Sequence, residues 1–225
     1  MNMPFYVSPE QVMKDRADYA RKGIARGRAL VALQYGGGIV IVAENTSNTL
    51  RKTSEIYDRI AFAGVGKYNE FDQLRRLGVR TADVKGYSFS RDDVEARSLA
   101  NEYAQILGQI FTHEMKPLEV EILVAEVGVT PADDQLFHIL YDGTLIDEAS
   151  YCVLGGDAET IGSRMEGKVS PEIELGAAVR LAMSALSGPD RTLSPADSEV
   201  AVLERSAGRR CFRRIENGEI ASLLA

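Results

Sequence analysis

The sequence predicts an α+β fold, and three observations carry that prediction. Two short apolar runs, Ala29–Tyr35 and Ile39–Ala43, flank Gly36–Gly37–Gly38 and read as a β-hairpin. A polar stretch with helical character, Ser8–Gly27, stands ahead of that hairpin. Beyond it, blocks of strand-like segments alternate with blocks of amphipathic helices, an order that points to antiparallel sheets with helices segregated outside them. Two stacked sheets between two helix layers accommodate it.

In the lead, Ser8 is placed to cap a helix, Pro9 fits its first position, and Gln11 stands where a capping box needs it. Val12, Tyr19 and Ala20 fall near one face, with Lys14, Asp15, Arg16 and Asp18 elsewhere, so the apolar face must cover something. Residues 1–7 (MNMPFYV) have no pattern of their own and read as flexible, ordered only by contact in an oligomer. The hairpin turn needs glycine because only Gly takes positive φ without steric cost.

After the hairpin, Leu50–Ile60 carries Ile56 and Ile60 among polar residues, and Ile60–Val65 reads as a buried strand ending near Gly66. Lys67–Leu77 predicts a helix with Phe71, Leu74 and Leu77 on one face and Gly78 as its stop. Ser90, followed by Asp92 and Asp93, predicts the start of the longest helix, Arg91–His113, whose stripe is Leu99, Tyr103, Ile106, Leu107, Ile110 and Phe111.

Strands return in the second half. Val120, Ile122 and Val124 alternate with their neighbours, and Leu136–Tyr141 runs to a turn at Asp142–Gly143. Tyr151–Leu154 ends in Gly155–Gly156 before a short helix near Ala158–Met165. Ser170 and Pro171 predict the start of a helix that runs to Gly188–Pro189. Gly188–Asp197 reads as a surface loop, Ser198–Leu203 and Arg210–Ile215 as a last pair of strands, and Glu219–Leu224 as a terminal helix.

A chain of 225 residues with 45% apolar content fits one domain with a large core. With 26 basic residues against 33 acidic ones the net charge is −7, which argues against a nucleic-acid partner. Apolar runs stop at about five residues, far short of the ~20 that span a bilayer, so no membrane role is expected. The first residues lack a signal-peptide pattern, and the expected location is the cytoplasm. Cys152 and Cys211 read as core thiols, and with His113 and His138 they show no metal-ligand spacing; neither metal nor cofactor is expected.

Three stretches carry a family resemblance that extends from Ser8 to about Ile215. They are the lead SPEQ…YARKGIARG (Ser8, Pro9, Tyr19, Ala20, Arg21, Gly27), RALVALQYGGGIVIVAEN, and RKTSEIYDRIAFAGVGKYNEFDQLRRLGV. Together they resemble the α-type subunits of the 20S proteasome, and in wording the actinobacterial ones. Of the longer archaeal and eukaryotic signature only Tyr19–Ala20 is kept. The resemblance implies a four-layer αββα sandwich of two antiparallel sheets between helix layers, spanning residues 28–225, with an added N-terminal helix over residues 8–27.

It also implies catalytic silence. An N-terminal hydrolase needs its nucleophile on the first residue of the mature chain, where the free α-amine helps activate it. That position falls near Arg28, with no Gly-Thr or Gly-Ser junction; Glu44 and Lys52 fall near the catalytic Asp and Lys of the β-type paralogues. No catalytic residue is therefore assigned. The implied role is an α-ring subunit that gates substrate passage and docks activators. Lys52 and Gly66 would form the docking pocket for an activator tail ending hydrophobic–Tyr–any residue, and a compact ammonium suits a terminal carboxylate. Pro4, Phe5, Tyr6 and Val7 would form the gate, supported by Ser8, Pro9, Tyr19 and Arg21. The implied partners are six further copies in a homo-heptameric ring, β subunits, a hexameric ATPase activator, and unfolded or tagged protein in transit. Judged as an isolated residue, Lys52 is a solvated strand lysine. The competing readings are a self-contained N-terminal-nucleophile amidohydrolase or peptidase, and a ring-forming protein working outside the proteasome.

Overall fold

The computed structural model of the chain describes residues 8–225. Helix α1 (Pro9–Ala25) precedes the hairpin β1 (Leu30–Tyr35) and β2 (Gly38–Glu44), then β3 (Thr53–Tyr57) and β4 (Ile60–Gly66). Two long helices follow, α2 (Tyr68–Ser88) and α3 (Ala96–His113), and then β5 (Val120–Glu126), β6 (Gln135–Ile139), β7 (Leu145–Glu148) and β8 (Tyr151–Leu154). Helices α4 (Ala158–Met165) and α5 (Leu175–Ser187), strands β9 (Ser198–Glu204) and β10 (Phe212–Ile215), and helix α6 (Asn217–Leu224) complete it.

The strands form two five-stranded antiparallel sheets, ordered β10-β9-β2-β1-β8 and β3-β4-β5-β6-β7. Every residue of β1 and β2 is buried, because one face meets the other sheet and the opposite face meets helices. Burial on both faces is what makes these strands read as unbroken apolar runs. The seam between the sheets combines alanines (Ala32, Ala43, Ala61, Ala63 and Ala125) with larger residues such as Leu30, Ile39, Ile41, Leu123 and Leu136, and further apolar layers lie on the outer faces. There Phe62, Phe137 and Tyr103 fill the layer beneath α2 and α3, and Leu33, Val40 and Met183 fill the layer beneath α4, α5 and α6. The four-layer sandwich is thus borne out. Helix α1 closes one end of the seam, with Ala20 and Ile24 buried in it and Ala17 packed against it.

The face of α1 differs from the sequence expectation: Val12 and Tyr19 are 40% and 46% exposed, and the covering residues are Ala17, Ala20 and Ile24. Ser8 caps the helix by accepting the Gln11 amide at 3.2 Å, but the Gln11 side chain donates to Asp15 instead of returning to Ser8. At the hairpin the tip is Gly36–Gly37, while positive φ (+148°) falls on Gly38, where a Cβ would lie 2.0 Å from the Leu203 carbonyl oxygen.

Gly78 does not end a helix. It lies inside the 21-residue α2, at the crossing with α3, where the Tyr103 hydroxyl donates to the Leu74 carbonyl at 2.9 Å. A Cβ on Gly78 would stand 1.8 Å from that hydroxyl, so glycine here makes room for a helix crossing. Ser90 caps only a short 3₁₀ turn, Arg91–Asp93, after which Val94 is extended. Helix α3 begins afresh at Ala96, whose amide donates to Glu126 at 2.8 Å. Ser170–Pro171 likewise makes a turn, held by the Gly36 amide donating to Ile173 O at 2.9 Å, and α5 starts at Leu175. Strand β7 has no counterpart in the sequence reading; its residues are half-buried or exposed, so it shows no apolar run.

Two substitutions test this packing. Leu107, on the inner face of α3, is fully buried, so Leu107→Ala is expected to cost about 2–5 kcal/mol in urea unfolding, and a loss below about 1 kcal/mol would contradict it. Gly78→Ala is expected to destabilise, against the ~1 kcal/mol that Ala gains over Gly in an open helix.

Candidate functional site

The chain leaves α1 through Gly27 and Arg28 before β1, and this link forms one wall of a cleft of about 330 Å³ at the end of the sandwich. Glu44, the last residue of β2, lies inside it and is 6% exposed. Arg28 Nη1 donates to Glu44 Oε1 at 2.8 Å, and Arg191 makes a two-pronged contact, Nη1 to Oε1 at 2.8 Å and Nη2 to Oε2 at 2.6 Å. Hydrogen bonds from Arg191, opposed by burial and reinforced by the charges of Arg191, Arg28 and Lys52, hold the Glu44 carboxyl below its ordinary 4.5. Arg191 is fixed in turn by the carbonyls of Leu186 and Ser187.

Lys52 stands beside this network. It precedes β3, its Nζ donates to the Arg28 carbonyl, and its own amide donates to Glu199 Oε2 at 3.0 Å. Burial pushes the Lys52 ammonium down to about 8, against the opposing pull of Glu44 and Glu199. Glu199, on β9, is 4% exposed. One of its oxygens accepts Asn45 Nδ2 at 2.7 Å and the Lys52 amide; the other accepts the Thr53 amide at 3.1 Å and hydroxyl at 2.5 Å. This carboxylate joins β9 of one sheet to β3 of the other.

Gly66 ends β4 at φ +96°, and a Cβ there would lie 1.9 Å from the Glu119 carbonyl oxygen. The backbone thus requires glycine whatever approaches from outside. A Cβ on Gly27 would stand 3.3 Å from the Gly66 amide nitrogen, so Lys52 and Gly66 reach the same Gly27–Arg28 link from two sides.

The residues expected to support a gate are not gathered in one place. Ser8 and Pro9 start α1, whereas Tyr19 and Arg21 lie about three turns further along, roughly 16 Å at 1.5 Å per residue. Tyr19 is within cation–π range of Lys116 (5.8 Å), and Arg21 of Tyr141 (5.8 Å), with an Arg21–Asp18 ion pair at 3.5 Å. Pro4, Phe5, Tyr6 and Val7 lie outside the described residues. The sequence reading missed Arg16, whose guanidinium donates to the Ile110 and Glu114 carbonyls at the C-terminal end of α3 and so anchors α1. It also missed Arg191, placed in a loop 147 residues from Glu44 with no motif around it.

The N-terminal-nucleophile mechanism has no machinery at this cleft. Arg28 carries no nucleophilic atom and sits in mid-chain without a free α-amine, and the Glu44 carboxylate is spent on two guanidinium groups. Fold and site therefore define an N-terminal-hydrolase sandwich with a charge network in place of catalytic machinery. Residues 24–203 match the family described as "Proteasome subunit". The chain is 61% identical over 224 residues to the "Proteasome subunit alpha" of Acidimicrobium ferrooxidans, covering 100% of this chain and 97% of that one. It is 54% identical to the protein of the same name from Kineococcus radiotolerans (100% and 99% covered) and 55% to that from Saccharopolyspora erythraea (100% and 89%). The chain belongs to the proteasome subunit family. Within it the chain is of the α type, the non-catalytic part of the 20S core, and catalysis lies with the β subunits.

Glu44 supplies a test of the network. Its folded pKa lies below its unfolded value, so its stabilising contribution is complete above pH 4.5 and is lost as pH falls through the window below that value. Glu44→Gln is expected to flatten the acid side of the melting-temperature profile there; an unchanged slope would contradict the network.

Proposed function

We propose that the chain forms a homo-heptameric α ring that stacks on a β ring, gates the passage of unfolded or tagged protein, and docks a hexameric ATPase through its hydrophobic–Tyr–any-residue tails. The observation that carries this reading is the placement of Lys52: a half-buried ammonium on the carbonyl of Arg28, itself a cleft-lining residue, with Gly66 behind Gly27. Arg28, Arg164 and Arg191 line the cleft against Glu44 and Asp157, which leaves one positive charge in excess (3 − 2) before Lys52 is added. Such a surface favours a terminal carboxylate, and Lys52 has no competing direct ion pair among the described residues. The N-cap at Ser8 and the Arg16 anchor fix where α1 starts. No helix among the described residues is long and apolar enough to cross a membrane, which is compatible with work in the cytoplasm.

Lys52→Ala in the assembled α–β particle is expected to weaken binding of such a tail peptide roughly ten- to a hundredfold, the equivalent of about 1.5–3 kcal/mol for a charged hydrogen bond, while leaving the particle intact. Wild-type affinity is expected to fall as pH rises through about 8, because Lys52 gives up its proton there. Unchanged affinity in the variant, or a flat pH profile, would overturn the docking role. Deleting residues 2–7 is expected to raise peptide cleavage by the particle without an activator; an unchanged rate would remove the gate.

A further inference from the structure

We propose that His138, Glu148 and Cys152 form a divalent-metal site, filled by Zn²⁺, that clamps the edge of one sheet to the edge of the other. Sequence spacing does not reveal it, because the residues come from three strands, β6, β7 and β8, and only the fold brings them together. One ligand atom from each lies within 4.8 Å of the others. Strand β7 edges one sheet and β8 edges the other, so a bound ion would bridge the seam where the chain crosses between them.

Thiolate, imidazole and carboxylate are the ligands zinc takes, at about 2.0–2.3 Å. The three ligand atoms, within 4.8 Å of one another, must draw in by about an ångström to close a tetrahedral site. The ring nitrogen facing Glu148 is Nδ1, at 3.6 Å, and it would bind through its lone pair. The opposite nitrogen, Nε2, is buried without a hydrogen-bond partner among the described residues, and the nearest carboxylate, Glu121 Oε2, is 3.5 Å away. A carboxylate behind the imidazole is the usual second partner of a metal-bound histidine, fixing its proton on the far nitrogen. Binding displaces the Cys152 thiol proton to solvent.

Among the described residues no lysine or arginine forms an ion pair with Glu121 or Glu148; each has only His138. A cavity of about 310 Å³ is bordered by Glu148, Ser150, Cys152 and Gly162, so two of the three ligand residues lie on its wall.

The test is titration of the chelator-stripped full chain with Co²⁺ and then Zn²⁺. The expected result is a single equivalent of Co²⁺ with thiolate-to-cobalt absorption in the near ultraviolet, displaced by Zn²⁺, and a melting temperature raised by Zn²⁺. The absorption should vanish in Cys152→Ala and persist in Cys211→Ser. Glu148→Gln, at a half-buried position, keeps the test open if Cys152→Ala fails to fold; it should lower Zn²⁺ affinity by more than the roughly tenfold lost with an outer-shell partner. Absence of the absorption in the wild-type chain, its persistence in Cys152→Ala, or unchanged affinity in Glu148→Gln would overturn the site.

Discussion

Glu199 holds the two sheets together at the end where the cleft opens. Its carboxylate is buried and accepts four donors, from Asn45, Lys52 and Thr53, so a strand of one sheet is fastened to the start of a strand in the other. Burial of the apolar seam is non-directional, so by itself it does not set one sheet's position against the other or forbid them to slide. A buried acceptor with four donors does not permit it, because any shift leaves several of them unpaired. The position of Lys52 follows, since its backbone is one of those four donors.

Around that fixed point the cleft holds a network of buried charge. The Arg28 guanidinium meets the Glu44 carboxylate, and a second one, from the loop after α5, closes on the same group. The result is a rigid wall of charge that stabilises the end of β2 and leaves Lys52, like Arg164 on the cleft wall, without an ion pair among the described residues. Burial lowers the Lys52 ammonium to about 8, so it keeps its proton at neutral pH and gains from a carboxylate arriving from outside.

Much of the fold was legible because burial on both faces writes itself into apolar runs, as in β1 and β2, and because α3 carries a full stripe of core residues, of which Leu99, Tyr103 and Leu107 are the buried centre. The misreadings share one cause, a tertiary contact overriding a local signal. Gly78 looked like a helix stop but accommodates Tyr103, and Ser90 and Ser170 capped turns whose neighbours are held by Glu126 and Gly36. At the site, Lys52, Gly66 and Arg28 were legible through family resemblance, whereas the Arg191–Glu44 pair and the His138–Glu148–Cys152 group join residues with no sequence pattern between them.

The most direct measurement is co-expression of this chain with the β-type subunit of the same organism, followed by mass determination and a peptide-cleavage assay. The expected result is a four-ring particle whose cleavage disappears when the β nucleophilic threonine is replaced, with no cleavage by this chain alone. A small oligomer of this chain that cleaves peptide unaided would contradict the silent cleft and, with it, the reading of the molecule as a ring that serves another subunit's chemistry.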